Sequence, residues 1–369
     1  MDLITAIFFV AGLVLLVVGA DLLVRGASRL ATLLGIPPLV VGLTVVAFGT
    51  CAPELAVSLQ ASLDGRGDMA PGNVVGSNIL NVLLILGFSA TIAPLVVSTQ
   101  LVRTDVPVMI GASLLVLLLG FDGTISRLNG LLLVVGAISY AVFLIRNSRK
   151  QTTPDHAVQA PVASVSSGPP LRQSLRNGLQ NGGLILGGIV LLVLGSHWLV
   201  SGATALARML GLSELVIGLT VIAAGTGLPE VATSVIASWR GQPDIAVGNV
   251  VGSNILNILL VLGLTSIVGP DGIPVAATAV RFDIPIMLAA AVACLPIFFT
   301  DGIISRWEGA LFLAYYIAYT AYLVLNSAQH AALPVFSMIM LTLVIPLTGV
   351  SLVVMTWQAM QRRREQELG

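Results

Sequence analysis

Charge is what this sequence has least of. Of its 369 residues only 9% are Asp, Glu, Lys or Arg, against roughly 25% in a soluble globular domain, and 56% are hydrophobic. That shortage excludes a sizeable soluble domain and leaves room for about ten or eleven membrane spans of roughly 20 residues each. The 17 basic and 17 acidic residues cancel, so no excess of one sign argues for nucleic acid or a charged partner surface, and no protein partner is implied. Cysteine is nearly missing too. Cys51 and Cys294 both fall in apolar runs and read as small core residues rather than a disulfide framework. There is no HExxH and no Ser/His pair placed for nucleophilic catalysis, so neither an enzyme nor a cofactor is expected. The absence of a TVGYG-like run or a ring-forming acidic repeat argues against a channel filter. The N-terminus lacks a basic leader region, and its apolar run from Leu3 to about Val24 is longer than a signal-peptide core, so it reads as a retained first span.

Apolar runs predict helices over 3–24, 38–63, 72–98, 105–120, 129–146, 183–204, 214–238, 247–268, 283–299, 307–326 and 332–357. One polar stretch, 147–181, has linker composition, rich in Gln, Ser, Pro and Ala. The expected organisation is a first repeat of five spans (1–146), the linker, a second repeat of five spans (182–327), and a segment 328–369 with an extra apolar run and a basic tail.

One stretch is said twice. Residues 42–81 read GLTVVAFGTCAPELAVSLQASLDGRGDMAPGNVVGSNILN, and residues 218–257 read GLTVIAAGTGLPEVATSVIASWRGQPDIAVGNVVGSNILN, an offset of 176. The likeness extends outward: Gly19 and Gly26 recur as Gly195 and Gly202, Arg103, Asp105 and Pro107 as Arg281, Asp283 and Pro285, and Asp122, Gly123, Ser126 and Arg127 as Asp301, Gly302, Ser305 and Arg306. Five is an odd number of spans, so the second copy enters the membrane from the opposite side. The predicted fold is therefore an all-α polytopic membrane protein of two inverted-topology repeats related by a pseudo-two-fold axis in the membrane plane. With the N-terminus outside, 13 of the 17 basic residues fall on the cytoplasmic side, including those of the linker and the tail, and the positive-inside rule favours that orientation.

In each copy a Glu (Glu54, Glu230) follows a Pro (Pro53, Pro229) deep in an apolar run. An ionisable group at that depth is costly and marks a substrate or ion path. Proline removes an amide hydrogen and clashes with the carbonyl four residues back, which interrupts the helix near Gly49 and Gly225 and frees those carbonyls. Thr50, Glu54 and Ser58 lie at i, i+4 and i+8 on one face, as do Asn73, Ser77 and Asn81. The second copy supplies Thr226, Glu230, Ser234 and Asn249, Ser253, Asn257. Hydroxyl, amide, carboxylate and carbonyl oxygens without thiolate or imidazole form a hard-cation ligand set, suited to calcium, with its 6–8 oxygens at about 2.3–2.6 Å, or to sodium. Gly72 and Gly76, like Gly248 and Gly252, are small-xxx-small pairs that allow close helix approach. Two carboxylates carry a charge of minus two, which one divalent ion neutralises, and if both sit within one site in low dielectric their repulsion should hold a proton or a cation there at all times.

GTCAPE and GTGLPE, each followed by GNVVGSNILN, resemble the alpha-1 and alpha-2 repeats of the cation/calcium exchanger superfamily, in particular its prokaryotic sodium/calcium exchangers. The resemblance covers both repeats and the five-plus-five layout. It implies ten core helices, alternating access, and calcium bound by Glu54 and Glu230 with Thr50 and Thr226. It also implies flanking sodium positions that use Ser77, Asn81, Ser253 and Asn257. The transported ions implied are Ca2+ and Na+, with H+ as the alternative, and the location implied is the inner membrane. The sequence departs from the family pattern at Cys51 and Gly227, where Ser is usual, and at Asn257, where many members have Asp. Both changes remove oxygens from the sodium positions, which makes proton coupling the natural alternative. Asn78 and Asn254 lie off the site face and read as helix–helix hydrogen bonds, Asp68 and Asp244 as helix-start residues, and His197 and Trp198 as packed polar contacts.

Overall fold

The computed structural model describes residues 3–151, 171–209 and 225–351, with 353, 354, 357 and 361. Among these, nine helices are long and apolar enough to cross a membrane, and a bent pair makes a tenth span. In chain order they are α1 (Leu3–Leu34), the bent pair α2 (Pro38–Thr50) and α3 (Ala52–Leu63), α4 (Met69–Ile92), α5 (Leu101–Leu119) and α6 (Arg127–Gln151). The second half holds α7 (Leu171–Met209), α9 (Pro243–Val268), α10 (Ala279–Phe298), α11 (Arg306–Ser327) and α12 (Leu333–Ser351), with the 12-residue α8 (Leu228–Trp239), which is not one of the nine, between α7 and α9. The expected seventh span, 214–238, is represented by α8; its first part lies outside the described residues, as do linker residues 152–170 and the basic tail at 362–364.

Several boundaries move, each for a local reason. Helix α1 continues ten residues past the expected Val24, because Asp21 and Arg25 close an i,i+4 ion pair at 2.8 Å and Arg240 at the end of α8 reaches the same carboxylate. It stops at Gly35, whose φ of +63° admits only glycine easily, followed by Pro37 and Pro38. Helix α4 ends at Ile92 rather than 98, because Ala93 precedes Pro94 and is driven extended, φ −141° and ψ 132°. Helical structure also enters both ends of the polar 147–181 stretch, as far as Gln151 and from Leu171.

Helices α4 and α9 form the buried centre. Helices α1 and α7 pack on one another along a glycine seam whose pattern proves the inversion. A methyl group on Gly19 would fall 2.8 Å from the Leu192 nitrogen and 2.9 Å from the Gly188 carbonyl, and one on Gly195 would fall 2.7 Å from the Leu16 nitrogen and 2.8 Å from the Gly12 carbonyl. Gly12 and Gly188 are equivalents at the 176 offset, as are Gly19 and Gly195. Equivalent residues thus exchange partners, the signature of a two-fold axis, and the two helices run antiparallel. Gly248 and Gly252 bring α9 against α2 in the same manner, with Leu43 backbone 2.7 Å from a methyl placed on Gly252. The residues equivalent to that α2 surface in the second copy, 215–222, lie outside the described residues, so no partner is assigned to Gly72 and Gly76.

Among the described residues, four two-residue strands supplement the helices. β1 (Leu95–Val96) pairs antiparallel with β4 (Ile303–Ile304), and β2 (Thr124–Ile125) with β3 (Ile273–Pro274). β1 and β2 lie at opposite ends of α5, so one ladder closes each end of the bundle, and each joins a loop of one repeat to a loop of the other. These ladders explain the recurring Asp-Gly. Gly123 and Gly302 take φ of +86° and +66°, and their carbonyls accept from Val275 and Val97 at 2.8 Å. The Ser immediately before the next helix then caps it: Ser126 accepts from the Asn129 amide, and Ser305 forms a capping box with Glu308.

Candidate functional site

The helix break falls where proline requires it. Helices α2 and α3 meet at Cys51 with a bend of 42°, and α8 begins at Leu228 after a turn at Thr226 and Gly227. Pro53 and Pro229 then occupy the first turn of α3 and α8, where a missing N–H costs nothing. Glu54 and Glu230 follow in the same first turn, where unpaired backbone N–H dipoles favour negative charge. In the second repeat the released Gly225 carbonyl is taken up by the Ser196 hydroxyl of α7 at 2.6 Å. The residue equivalent to Ser196 at the 176 offset is Ala20, so this pin exists in one half only.

Glu54 and Glu230 are fully buried, 0% and 1% exposed. All four of their carboxyl oxygens lack a hydrogen-bond partner. Thr226 and Ser77 stand beside Glu54, and Thr50 and Cys51 beside Glu230, so each carboxyl meets the hydroxyl of the opposite repeat.

The polar faces read from the sequence converge around them. Thr50 donates to Asn249 Oδ1 at 3.0 Å and lies 3.4 Å from the Ser253 hydroxyl; Thr226 donates to Asn73 Oδ1 at 3.3 Å. Asn73 holds its own repeat together by donating to the Glu54 carbonyl (3.3 Å) and to Ser58 (3.0 Å), and Asn249 does so to the Glu230 carbonyl (3.5 Å) and Ser234 (3.0 Å). Ser77, Asn81, Ser253 and Asn257 are all buried on the α4 and α9 faces. Asn81 donates to Asn254 Oδ1 (2.9 Å) and Asn257 to Asn78 Oδ1 (3.1 Å), while Asn81 Oδ1 and Asn257 Oδ1 lack partners. Among the described residues no three His, Cys, Asp or Glu side chains come together as a cage. What the site offers is unpartnered oxygen: four atoms from two carboxyls and two from amides, the donor set of a hard cation.

The departures from the family pattern are visible in the same place. The Cys51 thiol lies 3.8 Å from the Ser253 carbonyl, turned onto backbone, and Gly227 brings no side chain. Sequence reasoning missed Ser196, which no periodicity distinguishes from its neighbours. It also missed the pairs Tyr140–Asp105 (3.0 Å) and Tyr319–Asp283 (2.9 Å), whose Asp recurrence was visible but whose Tyr partners lie 35 and 36 residues downstream. Trp198 packs edge-on to Phe8 with ring centroids 5.0 Å apart, as a packed contact should. Asp68 stands at the start of α4 without a side-chain bond to the backbone, and Asp244 lies in the first turn of α9.

The wide, i to i+5 bonded turns at Leu80–Leu86 and Asn257–Leu262 take in the site asparagines Asn81 and Asn257 at their starts, and such turns are frequent at functional positions. A second matched pair, Leu101–Asp105 and Ala279–Asp283, opens α5 and α10.

The family model described as sodium/calcium exchanger protein matches residues 4–146 and 181–325, the two repeats. A putative antiporter, CaxA, of Alkalimonas amylolytica is 39% identical over 328 residues, covering 88% of this chain and all of that protein. The sodium/calcium exchanger MaX1 of Methanosarcina acetivorans is 33% identical over 335 residues, covering 84% of this chain and 95% of that one. A solved structure of the sodium/calcium exchanger from Methanococcus jannaschii superposes with a TM-score of 0.73 at 29% identity, over 87% of this chain and 99% of the other. Helix α12 begins beyond the family match, after residue 325.

Proposed function

The chain belongs to the sodium/calcium exchanger protein family, and from that premise we propose that it is a secondary antiporter moving calcium in exchange for sodium by alternating access. Among its features, one carries this reading: the bent pair α2–α3 of the first repeat and the first turn of α8 in the second bring four buried, unpartnered carboxyl oxygens together. Such a pair is costly without a counter-charge, so an ion leaves only when another arrives. We assign the ion contacts to Glu54 and Glu230, with Thr50 and Thr226 beside them and Ser77, Asn81, Ser253 and Asn257 flanking.

A proton-coupled antiporter is the second reading, favoured by one observation: at Cys51 and Gly227 the hydroxyls that would help hold sodium are replaced by a thiol turned to backbone and by nothing. The glutamates themselves can then carry the exchanged protons.

The protein is a multi-pass membrane protein, and we place it in the inner membrane with the N-terminus outside. The pairing of Arg240 with Asp21 and of the Arg127 guanidinium with the Gly269 carbonyl agrees with the order of spans, since each joins segments assigned to one side; the orientation itself rests on the distribution of basic residues.

The test is calcium-45 uptake into proteoliposomes under an outward sodium gradient, compared with an outward proton gradient in sodium-free buffer. Uptake driven by sodium supports the first reading and uptake driven only by protons the second. Glu54→Gln and Glu230→Gln each abolish uptake while the protein remains folded; uptake retained in either overturns the site.

A further inference from the structure

Asn78 and Asn254 face away from the ion side of their helices, yet they settle how the site presents itself. Asn78 Nδ2 donates to the Asn254 carbonyl at 3.1 Å, and Asn254 Nδ2 donates to the Asn78 carbonyl at 3.3 Å. A backbone carbonyl can only accept, so both amide nitrogens are fixed by the backbone and both amide oxygens must point the other way. Asn254 Oδ1 then receives Asn81 Nδ2 at 2.9 Å, and Asn78 Oδ1 receives Asn257 Nδ2 at 3.1 Å. Each of these outer amides has spent a nitrogen on the ring and keeps one oxygen, and those two oxygens are the buried unpartnered ones. Asn81 lies one turn beyond Ser77, which stands beside Glu54, and Asn257 one turn beyond Ser253, which contacts Thr50 and Cys51 beside Glu230. The chain of orientation therefore runs from two backbone carbonyls, through Asn78 and Asn254, to two oxygens on the ion face.

We infer that Asn78 and Asn254 are positioning residues that force Asn81 and Asn257 to offer oxygen, never N–H, to the transported cation. The coupling is crosswise: Asn254 of the second repeat orients Asn81 of the first, and Asn78 orients Asn257. With either ring member removed, its client amide is free to turn an N–H toward the cation, which repels it. The inference rests on the proposed reading of the site as a cation site.

The experiment is calcium-45 uptake as a function of calcium concentration in proteoliposomes, for Asn254→Ala, Asn81→Ala, Asn257→Ala and the doubles Asn254→Ala/Asn81→Ala and Asn254→Ala/Asn257→Ala. The single changes at 81, 257 and 254 each raise the half-saturating calcium concentration about tenfold, the size of one lost hydrogen bond or ligand contact. The 254/81 double is no worse than Asn81→Ala within about twofold, whereas the 254/257 double multiplies to about a hundredfold. Equal multiplication in both doubles overturns the inference, because a ring that merely packs two helices has no preferred client. If Asn254→Ala does not fold, Asn81→Ala and Asn257→Ala leave both helix-to-helix bonds in place, and an unchanged half-saturation in either overturns it as well. Failure of the unaltered protein to carry calcium under any gradient is a different outcome, which removes the cation-site reading itself.

Discussion

A membrane potential is the perturbation that reads the charge of the site most directly. The acids there are Glu54 and Glu230, and the four asparagines of the ring are neutral. One calcium ion balances the pair, and so do two sodium ions or two protons. On the proposed site, the expected outcome is the same net charge in both directions and electroneutral exchange. A third monovalent ion per cycle would carry one uncompensated charge, worth about 2.3 kcal/mol at 100 mV, which is about a 50-fold change in the calcium accumulation ratio. The assay is steady-state calcium accumulation in proteoliposomes under a fixed monovalent gradient, with and without a potassium diffusion potential of about 100 mV set by valinomycin. The expected ratio with and without potential is within about twofold of one. A shift approaching 50-fold refutes the charge count and requires a compensating group besides the two glutamates. Asn257→Asp adds that group, and should convert a voltage-insensitive exchanger into a sensitive one.

Other expected outcomes follow from single contacts. Calcium at about 100 times its dissociation constant stabilises the folded protein by about 2.7 kcal/mol; in Glu54→Gln that thermal shift in detergent is lost, and its persistence would show that calcium binds elsewhere. Gly19→Ala places a methyl 2.8 Å from the Leu192 nitrogen and costs about 1–3 kcal/mol, read as a lowered melting temperature; an unchanged melt contradicts the close α1–α7 approach. Tyr140→Phe leaves the fully buried Asp105 without one of its donors and costs about 1–3 kcal/mol, more than Tyr319→Phe costs at the half-buried Asp283. Equal melting temperatures for the two would contradict the burial difference. Cys51→Ser with a serine at Gly227 restores two hydroxyls and should steepen the sodium dependence of uptake; no change in that dependence rules out a sodium role for these positions.

The repeated stretch made the inversion legible, because an odd number of spans between two copies of one motif leaves no other topology. Glu54 and Glu230 were legible because hydropathy makes a lone acid conspicuous. The end of α1 was not, since Arg25 and Arg29 look like a span boundary until the Asp21 carboxylate is seen to pair with Arg25 and with Arg240 from the distant end of α8. The ladders were illegible for another reason: two residues are too few to show a period of two. Asn78 and Asn254 could be read as helix–helix bonds from their position off the site face. Their control over Asn81 and Asn257 depends on which carbonyls they reach, and that is tertiary geometry.

The cross-repeat ladders also set a timetable for synthesis. Leu95 pairs with Ile304, and Thr124 with Pro274, so the first half emerges with both of its strand edges lacking the segment that completes them. At 5–20 residues per second, roughly 200 residues take about 10–40 s to follow. During that wait the first five spans rest on the bilayer and on their own contacts, Asn73 to Ser58 and Tyr140 to Asp105 among them, and the two clasps on opposite faces of the membrane close only once the second half has arrived.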